Sequence, residues 1–158
     1  MLKVHGYALS SGVFFLDQAT KAWASRALTE GEPLFLFPGF ALRLAYNTGA
    51  AFSFLRGVGW EGPFFTIFAI LAIGYCVWLL EHHGDKRLFS FGVALVLGGA
   101  LGNLADRMRL GAVVDFIDIY WGKWHWPAFN VADAAISVGV GILVLESLFP
   151  FWRKVSWR

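Results

Sequence analysis

Two stretches of this chain, residues 63–80 and 88–104, contain no charged residue at all. Apolar runs of that length approach the roughly 20 residues a helix needs to cross a bilayer, and they are longer than most buried soluble helices require. Two further stretches, residues 4–24 and 129–149, are nearly as apolar but carry charge: Asp17 and Lys21 in the first, Asp133 and Glu146 in the last. Together they predict an integral membrane α-helical fold with four transmembrane helices, at about 4–24, 63–80, 88–104 and 129–149, in a single membrane domain 1–158. Composition points the same way. Hydrophobic residues make up 58% of the 158 and charged residues 15%, against about 25% charged in a soluble domain. The net charge of +2 and the lack of any basic run exclude nucleic acid as a partner class.

Four spans place both termini on one side. The link between the second and third spans, residues 81–87, is short and polar. The other two links, about 25–62 and 105–128, are long and share the opposite face. In the first, Phe40, Leu42, Leu44 and Tyr46 alternate with Ala41, Arg43 and Ala45, which predicts a half-buried strand and a small β-sheet on the membrane surface. Positive charge divides evenly between the faces. Lys3, Lys86, Arg87, Arg153, Lys154 and Arg158 lie on one, and Arg26, Arg43, Arg56, Arg107, Arg109 and Lys123 on the other. Short loops and tails weigh more than long ones, which favours termini and short loop in the cytoplasm. The N-terminal stretch is expected to be an uncleaved first span, because Asp17, Lys21 and Arg26 occupy the place of a cleavage site.

Charged side chains at membrane depth are costly, so they are where chemistry is sought. Asp115 lies in the last long link and Asp133 at the start of the fourth span, both at one membrane face. Two close carboxylates share a proton, so one serves as base towards a water while the other serves as acid. Other readings stand beside this one. Asn130 reads as a helix N-cap with Asp133 three residues on, the place of a capping-box acid. Asp115 reads equally as an interfacial carboxylate. Asp17 and Lys21, four apart, suit an ion pair within one helix, and Asp106 and Arg107 suit the polar cap of the third span. No metal site is expected, since His5, His82, His83 and His125 lack ligand spacing. The single cysteine, Cys76, sits in an apolar run and excludes an internal disulfide. The glycines of Gly98-Gly99-Ala100-Leu101-Gly102 suit close helix approach rather than phosphate binding. Two rival function classes are a proton-coupled transporter subunit relaying through Asp17, Asp115 and Asp133, and a lipid-binding scaffold.

Five motifs carry a resemblance. They are Asp17-Gln18-Ala19-Thr20-Lys21, then Tyr46-Asn47-Thr48-Gly49-Ala50-Ala51-Phe52-Ser53. Next come Gly98-Gly99-Ala100-Leu101-Gly102-Asn103-Leu104-Ala105-Asp106-Arg107 and Gly111-Ala112-Val113-Val114-Asp115-Phe116-Ile117, and finally Phe129-Asn130-Val131-Ala132-Asp133. In this order and spacing the chain resembles the lipoprotein signal peptidases (signal peptidase II). The resemblance implies an aspartic endopeptidase of the bacterial inner membrane with four helices and an extracytoplasmic β-sheet cradle. It implies removal of the signal peptide from a prolipoprotein before a diacylglyceryl-modified cysteine. Asp115 and Asp133 would be catalytic, Asn47, Asn103, Arg107 and Asn130 would bind substrate, and Asp17 and Lys21 would support them. It implies no cofactor and no metal. Its partners would be the lipidated prolipoprotein, membrane lipid and peptide-like inhibitors such as globomycin. The termini would be cytoplasmic and the active site at the periplasmic face. The Trp-rich segment 118–127 matches nothing in the motifs.

Overall fold

The computed structural model of the chain describes residues 2–49 and 61–148. Ala50, Ala51, Phe52 and Ser53 of the second motif lie outside the described residues, as do Arg56, Phe149, Arg153, Lys154 and Arg158.

The chain forms four helices, α1 (Leu2–Ala27), α2 (Glu61–His83), α3 (Arg87–Leu110) and α4 (Val131–Leu148); the first three contain the apolar runs expected there, and α4 begins two residues later than the fourth run. Three of them, α2, α3 and α4, are long and apolar enough to cross a membrane. The first helix has the length, 26 residues or about 39 Å at 1.5 Å per residue, but Ser10, Asp17 and Lys21 dilute its apolarity. Those polar residues all point inward. Ser10, Asp17 and Lys21 are buried at 0–2% exposure, while Val4, Phe15, Leu16 and Trp23 face out, each more than half exposed.

The third helix is the hub, and its small residues are what let its neighbours close in. A Cβ on Gly98 would strike the Ser10 carbonyl and Val13 of α1. One on Gly99 would strike the Ala132 carbonyl and Ile136 of α4, and one on Gly102 the Asp17 carboxylate. Gly92 and Gly139 face each other in the same way. Lipid offers no hydrophobic drive for helix association, so such close approach supplies the packing. Away from these seams, Cys76 and Leu80 of α2 pack on Val93 and Leu97 of α3 in an apolar cluster. At the same end, Glu81 accepts hydrogen bonds from Lys3 (3.0 Å) and Tyr7 (2.8 Å), tying α1 to α2.

The long links build one antiparallel sheet in the order β1-β2-β3-β4, from β1 (Leu34–Phe37), β2 (Phe40–Asn47), β3 (Val113–Trp121) and β4 (Trp124–His125). The alternation expected of residues 40–46 does form a strand, but its faces differ from that simple pattern. The β2–β3 register shifts between Leu42 and Ala45, so Ala41 and Leu44 are the buried pair and Tyr46 is 42% exposed. An extra residue in a ladder bends the strand and turns the following side chains over. The Trp-rich segment becomes the end of β3 and the β4 hairpin. There Asp118, fully buried, holds His125 Nδ1 at 2.9 Å, and Arg43 lies 3.6 Å from it.

Candidate active site

Helix α3 ends at Gly111, whose φ of 70° is the left-handed conformation that glycine adopts without strain. The chain turns there directly into β3, which puts Asp115 a few residues from the last turn of α3. The segment before α4 is then pinned alongside. Phe129 N–H donates to the Ile117 carbonyl at 3.1 Å, and Ile117 N–H donates back to the Phe129 carbonyl at 2.8 Å. This pair sets the first residues of α4 beside Asp115.

Asn130 occupies the junction. Its side-chain oxygen accepts the Asp133 N–H at 2.9 Å, and Asp133 Oδ2 accepts the Asn130 N–H at 3.3 Å. That is the reciprocal capping arrangement foreseen from spacing, so Asp133 does cap its helix. The Asn130 amide nitrogen meanwhile donates to Asp115 Oδ1 at 2.7 Å, to the Val114 carbonyl at 3.2 Å and to Asn103 Oδ1 at 3.2 Å. One fully buried amide thus bridges the two aspartates.

Each carboxylate of the pair has a further donor. Asp115 Oδ2 accepts from Asn47 Nδ2 at 3.0 Å, and Asp133 Oδ1 accepts from Asn103 Nδ2 at 2.7 Å. Asn47 is itself held, its oxygen accepting the Gly49 N–H at 2.9 Å. Burial pushes the Asp115 carboxyl up to about 6, the charge of Asp133 adding to the rise, while the Asn47 and Asn130 amides and Lys21 work against it. A carboxyl group titrating there sits in the range where acid–base catalysis near neutral pH operates.

Arg107 stands one turn beyond Asn103. Its guanidinium donates to the Asn103 carbonyl at 3.4 Å and lies 5.7 Å from the centre of the Phe65 ring. Beneath the pair, Lys21 contacts Asp17 (2.8 Å), Asp106 (2.9 Å) and Asn103 Oδ1 (2.8 Å), all of them buried. The Asp17–Lys21 pair within α1 therefore exists, and it is only part of a larger cluster. Asp106 is not a solvated cap: it is fully buried and accepts the Val114 N–H at 3.1 Å. Gln18, in the first motif but given no role from sequence, donates to Asp17, to Asp106 and to the Gly102 carbonyl at 3.1–3.2 Å. Its place inside the first motif is the sequence signal that marks it. Glu146, though buried, lies at the far end of α4 and does not join the site. Among the described residues, no group of three or more His, Cys, Asp or Glu could hold a metal ion.

Residues 9–149 match the family described as Signal peptidase (SPase) II. The lipoprotein signal peptidase of Cupriavidus taiwanensis is 49% identical over 137 residues, covering 86% of this chain and 78% of its own. That of Janthinobacterium sp. (strain Marseille) is 45% identical over 141 residues, covering 89% and 86%. Two solved structures of bacterial membrane enzymes, determined by the in meso method, superpose with TM-scores of 0.81 and 0.83 at 28% and 27% identity. They cover 91% and 98% of this chain and 92% and 93% of their own. With its motifs, fold and relatives in agreement, the chain belongs to the signal peptidase II family.

Proposed function

We propose that this protein is a membrane aspartyl endopeptidase that removes the signal peptide from prolipoproteins, cutting before a diacylglyceryl-modified cysteine, with Asp115 and Asp133 as its catalytic pair. The observation that carries the assignment is the single residue Asn130 bonded to both aspartates, with a separate amide donor on each remaining oxygen. That arrangement fixes both carboxylates, and on top of burial the charge of Asp133 raises the Asp115 carboxyl, the coupling expected of two acids that share one proton.

The chemistry follows from the shared proton. The ionised member takes a proton from water, and the resulting hydroxide attacks the scissile carbonyl carbon. The protonated member then delivers its proton to the nitrogen of the lipidated cysteine as the C–N bond breaks. Asn47, Asn103 and Asn130 spend their amide donors on the carboxylates, so their part in substrate binding is to hold the pair still. Arg107, whose guanidinium donates to a carbonyl of its own helix and lies against an aromatic ring, is the group placed to take a substrate carbonyl. Peptide-like inhibitors such as globomycin would bind in the same place.

The membrane arrangement completes the reading. The inverted pattern of α1, polar inside and Phe15, Leu16 and Trp23 outside, suits a helix whose surroundings are lipid, and so makes a fourth span in a single membrane domain 1–158. The site lies at the sheet end of the bundle, where the extracytoplasmic segments 25–62 and 105–128 meet the ends of α3 and α4, with both termini in the cytoplasm and the membrane being the bacterial inner one. Phe35 and Phe37 on one hairpin and Trp121, Trp124 and Trp126 on the other are all more than half exposed, as aromatic groups at a lipid headgroup level are. They would hold the sheet against the membrane near the acyl chains of the substrate.

Incubating the purified full-length protein with one prolipoprotein, with and without its diacylglyceryl group, and weighing the products tests this. Cleavage of the lipidated form alone, at the bond before the cysteine, is the expected result. Equal cleavage of both forms removes the lipid from the assignment, and cleavage of neither removes the peptidase.

A further inference from the structure

We infer that Lys21 is a positioning residue for the aspartate pair, working through Asn103 and through two buried carboxylates that grip the backbone just ahead of each catalytic residue. The inference rests on the peptidase reading above and extends it to residues that never touch substrate.

The ammonium of Lys21 has three protons to donate, and the structure gives it three acceptors: Asp17 Oδ2 at 2.8 Å, Asp106 Oδ2 at 2.9 Å and Asn103 Oδ1 at 2.8 Å. Each acceptor then does something to the pair. The other oxygen of Asp17 accepts the Ala132 N–H at 2.9 Å, on the residue immediately before Asp133. Asp106 Oδ2 accepts the Val114 N–H at 3.1 Å, on the residue immediately before Asp115. Gln18 locks both carboxylates by donating to Asp17 Oδ2 at 3.2 Å and Asp106 Oδ1 at 3.1 Å. One cation on α1 therefore fixes the backbone entering both halves of the dyad, on β3 and on α4.

The Asn103 contact decides an orientation. An ammonium only donates, so it draws the oxygen of the Asn103 amide towards itself. The amide nitrogen is thereby turned to Asp133 Oδ1, at 2.7 Å. With Lys21 gone, only the longer contact from Asn130 Nδ2, at 3.2 Å, still holds the amide this way round, and a flip would present its oxygen to a carboxylate, which repels it. An apolar cluster of the same volume would brace the helices as well or better, because a buried ion pair is a poor source of net stability. What the apolar cluster lacks is this directional control.

The charge of Lys21 matters as well. The ionisable groups around it are Asp17 on α1, Asp106, Arg107 and the more distant Arg109 on α3, Asp115 on β3 and Asp133 on α4. Lys21 opposes the upward pull of burial on Asp115, so its loss lets the pair keep its shared proton to higher pH.

The test uses the purified full-length enzyme and a lipidated prolipoprotein, comparing wild type, Lys21→Met and the charge-neutral pair Asp17→Asn with Lys21→Met. In the pair variant a carboxamide oxygen at position 17 can still accept the Ala132 N–H, which keeps that backbone contact. Both variants should lower kcat by about a hundredfold, the cost of small misplacement at a reacting centre, with KM nearly unchanged. The alkaline limb of the kcat/KM profile, which reports the free enzyme, should move up by about one pH unit in Lys21→Met and by less in the charge-neutral pair, which loses a negative charge with the positive one. A fall in kcat that only tracks the folded fraction, with the limb unmoved, overturns the inference. So does a pair variant that loses fold and activity together, since the cluster is then a brace and no more. Failure of wild type itself to cleave points instead to the peptidase reading.

Discussion

The two halves of α3 pack by opposite rules. Its first half presents Val93 and Leu97 to Cys76 and Leu80 of α2, an apolar contact between side chains that make no hydrogen bonds to one another. Its second half presents Asn103 and Asp106, 6% and 0% exposed, to α1, β3 and α4, and the contacts they make there are directed polar ones. The apolar half is held by shape, which small changes of shape preserve. The polar half is held by a set of partners each of which, if lost, leaves another buried group unpaired at a cost of about 1–3 kcal/mol. Lipid solvates the outside of both halves alike, so the difference reports function and not solubility.

The sharpest way to break this contrast is to remove the hub of the polar half. Asn130→Ala takes away an N-cap and the side chain shared by both aspartates. Turnover should fall by about 10²–10⁴-fold, the scale of lost acid–base alignment, and the melting temperature should drop too. An Asn130→Ala enzyme that keeps near wild-type turnover shows that the bridge between the aspartates is incidental.

The next effect is on stability, and its sign runs against intuition. Asp115 keeps its proton up to about 6 in the folded protein and releases it near 3.8 when unfolded. Between those values the folded state binds more protons, so this group destabilises the fold as pH rises through the window, by at most about 3 kcal/mol. Asp115→Asn lacks that loss. The melting-temperature difference, Asp115→Asn minus wild type, should therefore grow from about pH 4 to 6 and level off above. A difference that stays flat across the window contradicts the buried, charge-coupled environment assigned to Asp115.

Gly99→Val sharpens the comparison at the boundary of the halves. The new side chain meets the Ala132 carbonyl and Ile136, and overpacking of this kind costs about 1–3 kcal/mol. It also pushes on the turn of α4 that carries Asp133, so activity should fall more than the melt alone explains. Loss of activity strictly in step with stability would detach Gly99 from the site. The smallest effect belongs to the apolar half. Cys76→Ala, in the cluster with Leu80, Val93 and Leu97, should cost about 1 kcal/mol or less and leave kcat unchanged. A large loss of kcat would mean that the apolar half is not the passive partner described.

The helices are legible in the sequence because lipid demands long apolar runs, and residues 63–80 and 88–104 answer that demand without interruption. The strand over residues 40–47 is legible from its alternation, but its faces are not, since the register shift between Leu42 and Ala45 has no signature in residue type. The site is legible in part. Asn130 and Asp133 are three apart and announce a cap, and Asp17 and Lys21 announce a pair, because both relations are local. The bonding of Asn130 to Asp115 depends on the bridge between Ile117 and Phe129, a non-local pairing that spacing does not encode. Resemblance to a family supplied what spacing did not. The tie from Asp106 to Val114, and the place of Gln18 between two carboxylates, emerge only once α1, α3 and β3 are side by side.

The central claim is that Asp115 and Asp133 act as one catalytic pair, and kcat for each carboxamide variant tests it most directly. Purified Asp115→Asn and Asp133→Asn, checked by thermal melt to be folded, are given the lipidated prolipoprotein and the products are weighed. The pair reading predicts that each single variant loses turnover to the limit of detection, and that the double variant is no worse than either. Near wild-type turnover by either folded variant would contradict it.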